Sequence, residues 1–277
     1  MSQPFSPSRQ RLATLLRRLR DDAGLSTYQL SEMMGWSQSR VTRIERGRIV
    51  ATAADVEAWA DATNASRRVR DELSDLAYEA WTQSRSWRTS HRRGLAARQR
   101  EMAQLERSCT GLRHFQPEAI PGLLQAPAYA REVIRMADIT EQGDIDDAVA
   151  ARMERQKALR QQGHEFRFVL TEGALRWRPG PPAIMAPQRA HLLAAAGLSA
   201  VSIAALPYGQ QARAPYIHPF MIFDLPEGPL VVTEQYAGET FSSDARDIAV
   251  YEQIFRTLAT SALTGDETLE FIRSTMA

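Results

Sequence analysis

The residues whose types and spacing point most directly to a chemistry lie between Ser26 and Gly47, in the stretch STYQLSEMMGWSQSRVTRIERG. At helical spacing, Leu30, Met33 and Met34 turn inward on a first short helix, joined by Trp36, Val41 and Ile44. Gln38, Ser39, Arg40, Thr42 and Arg43 are left on the outside. A glutamine amide matches the donor and acceptor edge of adenine, and an arginine fork matches guanine. These groups read hydrogen-bonding patterns and do not make or break bonds.

Bond-making chemistry has little support elsewhere in the chain. There is no glycine-rich phosphate loop, no His-Glu-x-x-His and no paired-cysteine motif. His91, His114, His164, His191 and His218 are scattered without ligand spacing, and Cys109 reads as helix packing. The expectation is a protein that is not an enzyme, with no catalytic residue, metal or cofactor.

Charge supports a polyanionic partner once the chain is divided. Residues 1–50 hold nine arginines and four acids, a surplus of five positive charges, whereas the remainder carries an excess of four acids. A basic head on an acidic body suggests that the head meets nucleic acid. No run approaches the roughly 18 apolar residues of a membrane span, and the first residues lack a secretory layout. With one cysteine in 277 residues, the simplest location is the reducing cytoplasm.

The elements that must position the outward residues follow from caps and periodicity. Ser6-Pro7 or Ser8 opens a first helix, with Leu12, Leu15, Leu16, Leu19 and Ala23 as its stripe, and Gly24 stops it. Ser26 and Gln29 form a capping box for the second helix. Gly35 turns the corner, Ser37 caps the third helix and Gly47 closes it. Thr52 with Asp55 starts a fourth, carrying Val56, Trp59 and Ala60. Ser66 starts a fifth, with Val69, Leu73, Leu76 and Ala80. Glu45 lies near a helix C-terminus, where a negative charge is unfavourable with respect to the helix dipole.

Ser26, Leu30, Gly35, Ser37, Val41, Ile44, Glu45 and Gly47 together resemble the phage-repressor-like helix-turn-helix of xenobiotic-response-element regulators, over about residues 9–75. The resemblance implies that Gln38, Ser39, Arg43 and Thr42 face bases. It implies phosphate contacts from Thr27 or Gln29 at the start of the second helix and from Arg40, Arg46 or Arg48. It also implies a structural ion pair between Arg20 and Glu45.

The chain beyond divides into a basic linker at 83–100, rich in Arg85, Arg88, Arg92, Arg93, Arg98 and Arg100, and a domain at 101–277. Helices are expected at 98–112, 126–138, 144–161, 187–197, 244–263 and 266–275. Half-buried strands are expected around Phe166–Leu170, Val201–Ala205, Phe220–Ile222 and Leu230–Val232. The fold class is therefore α+β: an all-α five-helix domain at 1–82, then a larger α+β domain with a mainly antiparallel sheet. Leu105-Glu106, IPGLLQAPAYAR, ARMERQKAL, TEGALR, ALPYG, PFMIFDLP and VVTEQY resemble a module of unknown biochemical function in actinobacterial, antitoxin-like regulators.

Double-stranded DNA, a second copy of the chain, a small protein encoded nearby and a small-molecule effector are the partners this implies, with no membrane. Tyr129, Arg131, Glu172, Arg176 and Glu234 are the candidate ligand or partner residues of the larger domain. The strands and the 244–263 helix offer surfaces for pairing. The function expected is a sequence-specific transcriptional regulator. The alternative is an antitoxin-like interaction module whose main role is to bind a small protein.

Overall fold

A computed structural model describes residues 7–86, 94–138, 143–211, 213–235 and 238–276. Ser6, His91, Tyr236 and the linker arginines Arg88, Arg92 and Arg93 lie outside the described residues. The chain forms two compact units that divide between Gln83 and Ser84.

The first unit is a five-helix domain: α1 (Pro7–Asp22), α2 (Thr27–Met34), α3 (Gln38–Glu45), α4 (Ala53–Ala62) and α5 (Arg67–Trp81). Ser26 and Gln29 exchange capping hydrogen bonds at the start of α2, as Thr52 and Asp55 do for α4. Gly35 (φ 65°) and Gly47 (φ 62°) end α2 and α3 in the left-handed conformation that favours glycine. At both corners an N–H one residue later reaches back five residues, Trp36 to Ser31 and Arg48 to Arg43, so the last carbonyls are satisfied.

Leu12, Leu16, Leu30, Val41, Ile44, Trp59 and Leu73 form the core of this unit. Each fully buried aliphatic side chain contributes about 1.5–3 kcal/mol. Trp59 donates its indole N–H to the Leu16 carbonyl at 3.0 Å and meets Trp36 edge-on. Ala23 is exposed, and Met33 is 59 % exposed rather than inward. The eight-residue α2 has room for one narrow apolar stripe, and Leu30 and Met34 fill it.

The second unit is built on a mixed sheet in the order β1-β7-β6-β5-β2-β3-β4. The strands are β1 (Thr82–Ser86), β2 (Gly111–Gln116), β3 (Glu165–Thr171), β4 (Val201–Leu206), β5 (Phe220–Leu225), β6 (Gly228–Gln235) and β7 (Gly238–Ser242). The β2–β5, β5–β6 and β6–β7 pairings are antiparallel, and β2–β3 and β3–β4 are parallel. The parallel pairs require long crossovers. α6 (Leu95–Ser108) precedes β2, and the crossover from β2 to β3 carries α7 (Pro127–Ala137) and α8 (Ile145–Arg155). Between β3 and β4 come α9 (Glu172–Arg176) and α10 (Met185–Ala196). The chain finishes in α11 (Ala245–Thr260) and α12 (Gly265–Thr275).

The central strands are buried on both faces and not on one. Phe166, Phe168 and Leu170 point into a core shared with Leu124, Tyr129, Leu192 and Ile272. Val169, Ala204, Phe220 and Ile222 point the opposite way, under Phe255 and Leu258 of α11. The apolar face of α11 therefore covers the sheet and is not available for pairing two chains. The helix expected at 98–112 stops at Ser108, because Thr110 donates its N–H to the Asp224 carbonyl (2.9 Å) and draws the chain into β2. The linker expected at 83–100 becomes helical at Leu95, so Arg98 and Arg100 belong to α6.

The start of α6 follows Gly94, which has no side chain to cap it. Asp144 serves instead, accepting the N–H groups of Leu95 (3.2 Å) and Ala96 (2.9 Å). Beside this helix lies a cluster of buried and half-buried polar side chains. Arg155 grips Glu106 through two hydrogen bonds of 2.8 and 2.5 Å. Arg98 pairs with Glu239 and, at 3.3 Å, with Glu234. His114 on β2 is buried, and its Nε2 has no hydrogen-bond partner among the described residues.

Burial, with a smaller contribution from the Arg155 charge, lowers the His114 pKa from 6.5 to about 3. The unfolded chain therefore takes up a proton below pH 6.5 that the folded chain refuses until about pH 3, so stability falls as pH drops through that window. Between pH 6.5 and 5 this loss is about 2 kcal/mol for His114. Urea titrations of the wild type should show it, and the His114→Gln variant should lose most of that slope. Equal slopes in the two proteins would contradict the assignment.

Candidate nucleic-acid interface

Helix α3 is held so that one face is fixed and the other left open. Ser37 accepts the Arg40 N–H at its start, and Val41 and Ile44 are buried. The opposite face presents Gln38, Ser39 and Arg43, all exposed, with Thr42 half-buried. Arg46 and Arg48 are exposed beyond its end. Arg43, Arg46 and Arg48 have no side-chain partner among the described residues, so their guanidinium groups are unspent.

Hydrogen bonds refine what each of these can do. Gln38 donates through Nε2 to the Thr27 hydroxyl at 2.9 Å, tying the starts of α2 and α3 together. Its Oε1 and second amide hydrogen keep the pattern that matches adenine. The Thr27 hydroxyl hydrogen is left to donate outward. Gln29 gives its oxygen to the Ser26 N–H and retains its NH2. Ser39 stands 3.4 Å from the Ser37 hydroxyl. Thr42 donates its hydroxyl to the Gln38 carbonyl at 3.0 Å, so its methyl group is what it offers to a groove.

Arg40, expected among the phosphate contacts, also has partners within the domain. It turns toward α4, pairing with Asp55 at 2.8 Å, and its guanidinium lies 4.3 Å from the centre of the Trp36 ring. The cation over an aromatic face and the carboxylate that also caps α4 make Arg40 a brace for the corner. Sequence spacing placed Arg40 outside but did not place Asp55 and Trp36 on either side of it. Two further features were not read from sequence. Arg9 on α1 donates to the Arg48 carbonyl at 2.7 Å, and Tyr28, 58 % exposed, stands at the start of α2.

Arg20 and Glu45 form a forked pair, Nε to Oε1 at 2.5 Å and Nη2 to Oε2 at 3.1 Å. Their side chains are 9 % and 8 % exposed. Arg20 also donates to Asp21 and to the Leu25 carbonyl, each at 2.7 Å. Hydrogen bonding to Glu45 is the largest cause that raises the Arg20 pKa above its ordinary value, against the opposing effect of burial. α1, the loop before α2 and the end of α3 thus meet at one guanidinium.

The residues expected to form a site in the larger domain do not come together. Tyr129 is fully buried; it meets Trp177 edge-on and accepts the Ile120 N–H, and burial raises its phenol pKa. Arg131 pairs with Asp146 near the surface. Glu172 accepts the Tyr208 N–H at 2.9 Å and Arg176 Nε at 2.6 Å, and these contacts, the backbone one first, hold its pKa low. Glu234 lies on β6, three strands from β3, about 14 Å across the sheet. The expected grouping of Glu172 and Arg176 with Glu234 is therefore incorrect. Among the described residues, no group of three His, Cys, Asp or Glu side chains could hold a metal ion, and no helix is long and apolar enough to cross a membrane.

A family model described as a helix-turn-helix domain matches residues 11–73, and one described as a domain of unknown function, DUF5753, matches residues 99–274. No curated protein matches the chain.

Breaking a buried pair by removing one partner costs about 3–5 kcal/mol, because the other charge is left without compensation. Arg20→Met and Glu45→Gln should each reach that range in urea unfolding. The double variant should cost clearly less than the sum of the two. Strict additivity would show that the two side chains do not act together.

Proposed function

The chain belongs to the DUF5753 family, and from that premise and the helix-turn-helix ahead of it we propose that it is a sequence-specific, DNA-binding transcriptional regulator. The observation that carries the reading is the open face of α3: Gln38, Ser39 and Arg43 are exposed on a helix whose other side is locked into the core. In a major groove, Gln38 reads adenine, Arg43 reads guanine, and the Thr42 methyl group meets the methyl of a thymine. Thr27, Gln29 and the free N–H groups at the start of α2 hold one phosphate. Arg46 and Arg48 hold phosphates on the other side of the groove, and Tyr28, exposed at the start of α2, joins the first set through its hydroxyl.

The same proposal includes action in the cytoplasm, without catalysis. It also includes two copies bound to a two-fold operator, as helix-turn-helix regulators commonly do. The larger domain then serves as the receiving part, for an effector or a small protein partner.

Selection of bound duplexes from a random library by the full chain tests this directly. Enrichment of a motif is expected, and recovery of no preferred sequence would remove the proposal. On the selected site, Arg43→Ala should weaken binding by about 1–3 kcal/mol and relax preference at one base pair. Arg46→Ala should weaken binding to all sequences alike and lower the salt slope by about one. If Arg43→Ala behaved as Arg46→Ala is expected to, Arg43 would be a phosphate contact.

A further inference from the structure

Four of the phrases singled out in the larger domain converge on the polar cluster beside α6. Glu106 comes from Leu105-Glu106, Gly122 and Gln125 from IPGLLQ, Arg152 and Arg155 from ARMERQKAL, and Glu234 from VVTEQY. The three arginines of this cluster are not treated alike. Arg155 has Glu106, and Arg98 has Glu239 and Glu234. Arg152 has no carboxylate within ion-pair distance among the described residues. Its Nε donates to Gln99 Oε1 at 3.2 Å and its Nη1 to Gln125 Oε1 at 2.6 Å, both neutral amides.

The two amides are themselves fixed. Gln99 Oε1 also receives Arg155, and Gln125 donates to the Ile120 carbonyl at 2.6 Å while Gln156 donates to the Gln125 carbonyl at 2.7 Å. Gln99 and Gln125 are buried, but Arg152 is half-buried, and its remaining nitrogen, Nη2, has no hydrogen-bond partner among the described residues and is not one of the fully buried polar atoms. The Gly122 backbone lies against the guanidinium; a Cβ built there would stand 3.5 Å from Arg152 Nε. Burial, then the neighbouring Arg155, lowers the Arg152 pKa to about 9, and Glu234 and Glu106 offset only part of this. A guanidinium holds its proton in proteins, so the fold keeps a cation in surroundings that disfavour its charge. A glutamate at position 99 would relieve this with the same shape, and the sequence has glutamine there.

We propose that Arg152, set between Gln99 and Gln125 and backed by Arg155, is the anchor of an anion-binding site in the larger domain, taking a small molecule through a carboxylate or phosphate oxyanion. The incoming oxyanion meets Nη2 and supplies the countercharge that the protein withholds. The site rests on this geometry and stands apart from the DNA reading.

Thermal unfolding of the full chain tests it, with sodium phosphate and sodium acetate titrated separately against sodium chloride at constant ionic strength and pH 7. A saturable rise in Tm beyond chloride is expected with at least one of the two, and which one identifies the headgroup. Arg152→Gln should raise the midpoint of that saturation at least tenfold. Gln99→Glu, which changes no volume, should raise Tm in chloride alone and remove the response to the added anion. This second variant decides the matter should Arg152→Gln fail to fold. No saturable rise with either anion in the wild type overturns the proposal, as does a Gln99→Glu protein that responds like the wild type.

Discussion

The angle at which α3 is presented depends on one buried ion pair. Glu45 closes α3 at the end where backbone carbonyls already concentrate negative charge, and a carboxylate buried there alone would be costly. Arg20 answers it with a fork from α1 and spends its remaining donors on Asp21 and the Leu25 carbonyl. The guanidinium therefore fixes three segments relative to each other, including the chain entering α2. Apolar packing of Leu30, Val41 and Ile44 holds the helices together. A directional pair of this kind sets their mutual orientation, which packing alone leaves looser.

A second polar brace works at the opposite end of the same helix. Arg40 near the start of α3 lies over Trp36 and pairs with Asp55, whose other oxygen caps α4. One helix of eight residues is thus held at its beginning by a cation over an indole and at its end by a buried fork. The residues of its open face, Gln38, Ser39, Thr42 and Arg43, do little to hold the core, which leaves the Gln38 Oε1, the Thr42 methyl group and the Arg43 guanidinium facing outward.

Much of the small domain was legible because its signals are local. Ser26 with Gln29, Gly35, Ser37, Gly47 and Thr52 with Asp55 each act within a few residues, and each sits where its chemistry requires. What escaped was side-chain direction. Spacing puts Met33 beside Met34 but cannot say that the stripe of α2 is too narrow for both. It puts Arg40 outside but cannot foresee an acid from α4. In the larger domain the strands around Phe166, Val201, Phe220 and Leu230 were visible as alternating apolar positions. Their burial on both faces was not, since that depends on helices up to a hundred residues away. The grouping of Glu172, Arg176 and Glu234 failed for the same reason: strand order is a property of long-range pairing.

The cap on α6 carries a consequence for how the chain is made. A helix leaves its first N–H groups without partners, and for Leu95 and Ala96 those partners are the oxygens of Asp144, 49 and 48 residues further along. On the ribosome, which extends a chain at about 5–20 residues per second, that first turn waits several seconds for its acceptor to emerge. Until then the segment carrying Arg98 and Gln99 has no fixed origin. The larger domain consequently cannot mature strictly from its beginning onward; its opening helix is completed by a residue delivered late.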